Sequence, residues 1–151
     1  MNKIEVLKRS DLFRELDDEH LALVAKLGTH QVIDAGTTVY RQGSMAEQIY
    51  VIEHGVVGII LEVGPLAQRQ VQAACNFESF GWSAVIPPYT RTATVRALEQ
   101  TKVIVFNGRE LTAFCTTHSE VGFKITQAVA RVIAERLRQS YIQLLGVTDE
   151  D

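Results

Sequence analysis

Between His30 and Phe106 the chain is written in short stretches of β-branched and aromatic residues, cut by glycine at Gly36, Gly43, Gly55, Gly64 and Gly81. Runs of that length and composition, separated by turn residues, are the pattern of strands. Strands are expected at 32–33, 37–40, 49–52, 56–61, 68–74, 92–98 and 103–106. Consecutive short strands pair antiparallel and close into a roll or barrel. The fold class is therefore mainly β with flanking helices, the roll occupying about 30–106.

Helical spacing appears on both sides of this region. Asp17 can cap a segment in which Leu21, Leu23, Val24 and Leu27 recur on one face, with Gly28 placed to stop it, and Leu12, Phe13 and Leu16 form a short turn before it. After the roll, Asn107 and Glu110 have the spacing of a capping box, and Thr117 and Glu120 repeat it. A short and then a long helix are expected over about 108–145, the long one running from 119 to a stop near Gly146. At about 1.5 Å per residue its 27 residues reach about 40 Å, too far for a simple terminal cap. Its apolar band is broad and drifts around the axis. One part can cover the roll, while Ile133, Leu137, Tyr141 and Leu144 can meet a partner helix. Either one globule buries the whole band, or a homodimer or another regulatory protein covers the remainder.

A chain of 151 residues with 46% hydrophobic and 22% charged residues matches one globular domain, 1–151, with one core. The longest apolar runs are far short of the ~20 residues that cross a bilayer, and 1–11 alternates charge with apolar groups, so neither a membrane span nor a signal peptide is read. Cys75 and Cys115 lie 40 positions apart without a CxxC pair or histidines at metal-ligand spacing, which fits a reducing cytoplasm and no metal site. The net charge of -3 argues against a direct nucleic-acid partner. His20, His30, His54 and His118 are isolated, and Ser83 has no base at motif spacing, so no catalytic residue is assigned. No helix-turn-helix pattern follows the long helix, and the TDED stretch of 148–151 reads as a solvated acidic tail.

The chemistry concentrates in 80–97, FGWSAVIPPYTRTATVRA. A glycine turn, a short segment able to turn helical, a proline-marked loop and an arginine entering a strand bring backbone N–H groups and one guanidinium together. That combination suits a compact anion, phosphate being the natural choice. In this stretch, and in the glycine-punctuated DAGTTVYRQGSMAEQIYVIEHGVVGII of 34–60, the chain resembles the cyclic-nucleotide-binding domain family. The resemblance extends over nearly the whole chain, through the paired short and long helices. It implies an antiparallel double-stranded β-helix, a jelly-roll-like β-roll, with cyclic AMP or cyclic GMP as ligand and no other cofactor. It also implies that Arg91 pairs with the phosphate, that the amides of Ser83 and Ala84 and the groups at Thr92 or Ala93 complete the shell, and that Gly81 lets the backbone pass close by.

At Trp82 the chain departs from the family pattern, which places there a glutamate that accepts hydrogen bonds from the ribose 2′-hydroxyl. Indole offers one N–H donor and no carboxylate. Losing a charge-assisted hydrogen bond of about 1.5–3 kcal/mol lowers affinity about tenfold to over a hundredfold. Trp82 plugs a vestigial pocket or packs under Pro87 and Pro88, or else it stacks on a different, still anionic ligand. Two functions follow: a regulatory domain that senses a phosphate-bearing ligand and signals through its C-terminal helix, or a ligand-independent dimerisation or protein-interaction module.

Overall fold

The computed structural model describes residues 1–146. The β-rich region folds into eight strands: β1 Gly28–Ile33, β2 Thr38–Tyr40, β3 Gln48–His54, β4 Val57–Gly64, β5 Ala67–Ala74, β6 Ser79–Phe80, β7 Thr94–Ala97 and β8 Thr101–Asn107. They form two four-stranded sheets, ordered β1-β8-β3-β6 and β2-β7-β4-β5. Every pairing is antiparallel, including Tyr50 opposite Phe80 and Gly28 opposite Phe106. The expected β-roll is thus the observed architecture.

β3 and β8 are buried on both faces, so they read as continuous apolar runs without polar alternation. Their residues alternate between two cores. Tyr50, Ile52, Val103 and Val105 point between the sheets to Ile33, Phe80 and Val95. Ile49, Val51, Ile104 and Phe106 point outward to a helical layer containing Leu7, Phe13, Leu21, Val24, Leu111, Ile125 and Val129.

That layer begins with α1, Lys3–Arg9, which the sequence reading did not anticipate. Asn2 caps it by accepting from the Glu5 amide at 2.9 Å, and Val6 and Leu7 are its buried residues, too few to show a period. Ser10 then holds the turn of Leu12 and Phe13, donating to the Leu7 carbonyl at 2.7 Å and accepting from the Phe13 amide at 3.1 Å. α2, Asp18–Ala25, is capped by Asp17 as expected. Gly28 does not stop it. The glycine opens β1 instead, in a position where a Cβ would lie 2.6 Å from Ile104 Cγ2.

α3, Gly108–Thr117, starts at Asn107, whose side chain accepts from the amides of Arg109 and Glu110. α4 spans Ser119–Leu145 and ends at Gly146, left-handed at φ 68°. Its start does not repeat the capping box: His118 is the cap residue without a side-chain bond, and the Thr117 hydroxyl donates to Ala113 O. The first half of α4 buries Val121, Ile125, Ala128 and Val129 against the helical layer. The second half crosses to the roll, where Gln72 donates to Arg136 O at 2.8 Å and Ser140 Oγ at 3.1 Å, and Arg136 donates to Ala73 O at 2.9 Å. None of the described helices is long and apolar enough to cross a membrane.

Candidate functional site

The cassette between β6 and β7 turns on Gly81, which has φ 85°. A Cβ there would meet Arg91 Nη1 at 3.1 Å, Gln48 O at 3.1 Å and Tyr50 Cδ1 at 3.2 Å, so glycine is required both by the left-handed backbone and by the space. Trp82–Val85 then form one 3₁₀ turn, closed by the Ala84 amide on Gly81 O. The chain returns through the loop of Pro87, Pro88 and Tyr89, and Arg91 is fixed by its own backbone: its amide donates to Ser44 O at 2.9 Å and its carbonyl accepts from Gly43 N at 2.8 Å. Thr92 and Ala93 precede β7 instead of belonging to it, as the expected strand 92–98 had placed them.

Fixed in this way, the Arg91 side chain enters the roll and keeps only 4% of its exposure. Nη1 donates to Gly81 O at 2.9 Å and Nη2 to Gln48 O at 2.6 Å, while Cζ lies 3.8 Å from the centre of the Tyr40 ring. Nε is buried without a partner, and no ion pair among the described residues involves this guanidinium. Burial pulls its pKa down, opposed by Tyr40, Tyr50 and Glu47. Arginine nevertheless stays protonated in proteins. Burial likewise pushes the phenols of Tyr40 and Tyr50 up, leaving both neutral.

Beside this cation lies a cavity of about 60 Å³, bounded by Tyr40, Ile59, Gln72, Ser79, Phe80, Gly81, Trp82, Ser83, Arg91, Thr92, Ala93 and Arg136. Six of the seven cassette residues singled out from the sequence meet there. Ala84 lies outside it. The volume is that of about two waters, against about 300 Å³ or more for ordinary ligand pockets. Phe80 and Tyr50 stack at 4.6 Å between ring centres and take up the interior. Trp82 is half-buried against the helical core, its indole N–H donating to Ser79 Oγ at 2.9 Å.

Tyr40, Phe80, Gln72, Ser79 and Arg136 did not emerge from the sequence. The first four sit in strands, where nothing distinguishes an inward ligand-facing residue from a core residue. Arg136 carried a usable signal, a cation one turn beyond the half-buried Val132 on a helix expected to cover the roll. Among the helix residues grouped for partner contact, Leu137, Tyr141 and Leu144 are 50%, 57% and 84% exposed, whereas Ile133 packs on the helical core and belongs to the inner face.

A larger open groove of about 870 Å³ lies on the other side of the cassette, between Met45, Ala84, Tyr89 and the start of α3. Its backbone and cap groups are engaged, Gly108 N donating to Glu47 O and Asn107 capping α3, and its charged side chains are of opposite sign, Glu47 and Arg109. The buried unpaired charge is at Arg91, so the smaller cavity is the candidate site.

The fold is a helix-flanked antiparallel β-roll with the Arg91 side chain turned into its interior. Residues 30–118, more than half of the chain, match the family model described as the cyclic nucleotide-binding domain, and the chain belongs to that family. It is 29% identical over 144 residues to a candidate potassium channel protein of Rhodopseudomonas palustris, a match covering 95% of this chain and 34% of that one. The chain thus spans about a third of that relative's length. Among solved structures it superposes on a candidate cyclic nucleotide-binding protein of Geobacter metallireducens with a TM-score of 0.79 and 24% identity, covering 91% of this chain and 99% of that one. A cyclic nucleotide-binding domain of Methylobacillus flagellatus gives a TM-score of 0.84 at 17% identity, covering 99% and 84%. Both likenesses concern the fold.

Proposed function

We propose that this chain is a cytoplasmic regulatory domain that binds a small phosphate-bearing or similar anion at Arg91 and passes the event to α4. The carrying observation is the guanidinium itself, buried with no carboxylate partner among the described residues and with its Nε–H unmade. Burying an unpaired ion costs several kcal/mol, and an unmade buried N–H about 1–3 kcal/mol. An anion entering the cavity relieves both. The shell consists of Gly81, Trp82, Ser83, Arg91, Thr92 and Ala93, and Ala84 supports it through its bond to Gly81. The cavity is contracted in the observed state, so binding requires a second packing with more room, and the ligand acts by shifting the population toward it. α4 is the element to move, because its Arg136 lines the cavity.

The outer face of α4 is the output surface. Phe123, Gln127, Ala130, Ala134, Leu137, Tyr141 and Leu144 alternate steps of four and three residues and are all exposed, the pattern of a coiled-coil seam. A second copy covers it. Lys124, Arg131 and Arg138 run along one flank of this seam; parallel helices set them opposite uncharged Thr126, Ile133 and Ser140, while antiparallel helices would face them against one another.

The test is calorimetry with cyclic AMP, cyclic GMP and phosphorylated metabolites on the wild type and Arg91→Ala. Saturable heat lost in the variant is expected, and no heat with any of them sinks the sensing role. One observation favours a ligand-independent interaction module instead: Trp82 is pinned to Ser79 over a cavity of about 60 Å³. On that reading Arg91→Ala leaves every interaction unchanged.

A further inference from the structure

The cavity has two cations and no acid in its lining. Arg91 comes from the cassette and Arg136 from α4, and both line the cavity. Arg136 is largely buried, its side chain 11% exposed, and it spends one N–H on Ala73 O at 2.9 Å and one on Glu78 at 3.2 Å. A guanidinium carries five donors, so most of its fork is uncommitted. Glu78, its only ion-pair partner among the described residues, is 38% exposed and lies outside the lining. Between the two cations the floor is aromatic, made by Tyr40, Phe80 and Trp82. Trp82 has its single donor committed to Ser79 and presents no acceptor.

Recognition of a vicinal diol needs a charged acceptor, and this lining has none. It has instead two guanidinium groups, Arg91 with Nε unpartnered and Arg136 with uncommitted donors, together with aromatic residues. We propose that the natural ligand is a compact organic dianion, with two separated anionic groups on a short carbon chain, one held by Arg91 and the other by Arg136. This rests on the anion-binding role of Arg91 proposed above and adds the second head. Because the two forks belong to different elements, such a ligand ties α4 to the cassette directly. Arg136 exchanges its exposed partner Glu78 for the ligand, so helix position and site occupancy change together. A dicarboxylate and a phosphorylated carboxylate share this chemistry.

The experiment measures binding of succinate, glutarate and 3-phosphoglycerate against acetate, inorganic phosphate and cyclic AMP, by calorimetry on the wild type, Arg91→Ala, Arg136→Gln and Glu78→Gln. At least one two-headed anion is expected to bind about tenfold or more tightly than every single-headed one and than cyclic AMP, because a charge-assisted bond is added. Preference among the three identifies dicarboxylate or phosphocarboxylate. Arg136→Gln should abolish the two-headed advantage, and Glu78→Gln, which frees Arg136, should tighten two-headed binding several-fold. A role for Arg136 in docking α4 alone predicts that both variants weaken binding, and that result overturns the proposal. So does equal affinity for phosphate and the two-headed anions, or tighter binding of cyclic AMP, either of which leaves the Arg91 site standing. If no anion binds in an Arg91-dependent manner, both readings fall.

Discussion

Replacing Arg91 by methionine separates a structural brace from a ligand-binding charge. In the folded chain the charged guanidinium donates two bonds, to Gly81 O at 2.9 Å and Gln48 O at 2.6 Å, each contributing about 1.5–3 kcal/mol. Its position over Tyr40 adds about 0.5–2 kcal/mol. Against these stand several kcal/mol for desolvating an unpaired ion and about 1–3 kcal/mol for the unmade Nε–H. The two sides offset one another to within about 2 kcal/mol. In anion-free buffer, Arg91→Met should therefore unfold in urea within about 2 kcal/mol of the wild type, in either direction. With a binding anion at a hundred times its Kd, the wild type should gain about 2.7 kcal/mol and the variant nothing. A loss of 4 kcal/mol or more without any anion would mean that Arg91 is kept as a brace. Equal stabilisation of both proteins would place the anion elsewhere.

Gly108 abuts the cassette where a Cβ would press on the Ala84 carbonyl, so Gly108→Ala should lose about 1–3 kcal/mol in a thermal melt; an unchanged melting temperature contradicts this packing. Asp11 has one carboxylate oxygen bonded to Ser79 N and the other buried without a partner, and burial raises its pKa, reinforced by Glu78 and opposed by the Ser79 bonds and Arg136. The folded state then holds a proton that the unfolded chain releases near pH 4, so stability falls as pH rises from there through the raised folded value. Asp11→Asn should be at least as stable as the wild type at pH 7 and lose that advantage below pH 4, whereas a variant weaker at pH 7 and converging at low pH contradicts the sign. Leu137→Glu should convert a dimer to a monomer in light scattering without lowering the melting temperature, and a wild type that is already monomeric at high concentration refutes the seam.

Much of this fold is legible in the residues, and the gaps have physical causes. Seven strand segments and the full length of α4 follow from glycine punctuation and from helical spacing ending at Gly146. β6 is two residues long and cannot show a period. α1 escapes for a related reason, since it buries two residues, Val6 and Leu7. Gly28 looks like a helix stop because helix ends and tight strand pairings both demand glycine, and only the nearby Ile104 and Phe106 side chains decide between them. Within the site, the cassette is local in sequence and so is readable; Gly81, Trp82 and Arg91 meet because ten residues separate them at most. Arg136 lies on α4, 45 residues beyond Arg91 in the chain, and whether it meets the cavity depends on how that helix crosses the roll. The same limit applies to Ile133, whose apolar character is visible while the face it occupies is set by tertiary packing.

The chain has one tryptophan, and it lines the candidate cavity, so its fluorescence reads the site directly. Titrating the wild type and Arg91→Met with the phosphorylated and two-headed anions should give a saturable change in Trp82 emission for the wild type and a flat response for the variant. A wild type that stays flat with every anion, or a variant that saturates equally well, would contradict an anion site built on Arg91.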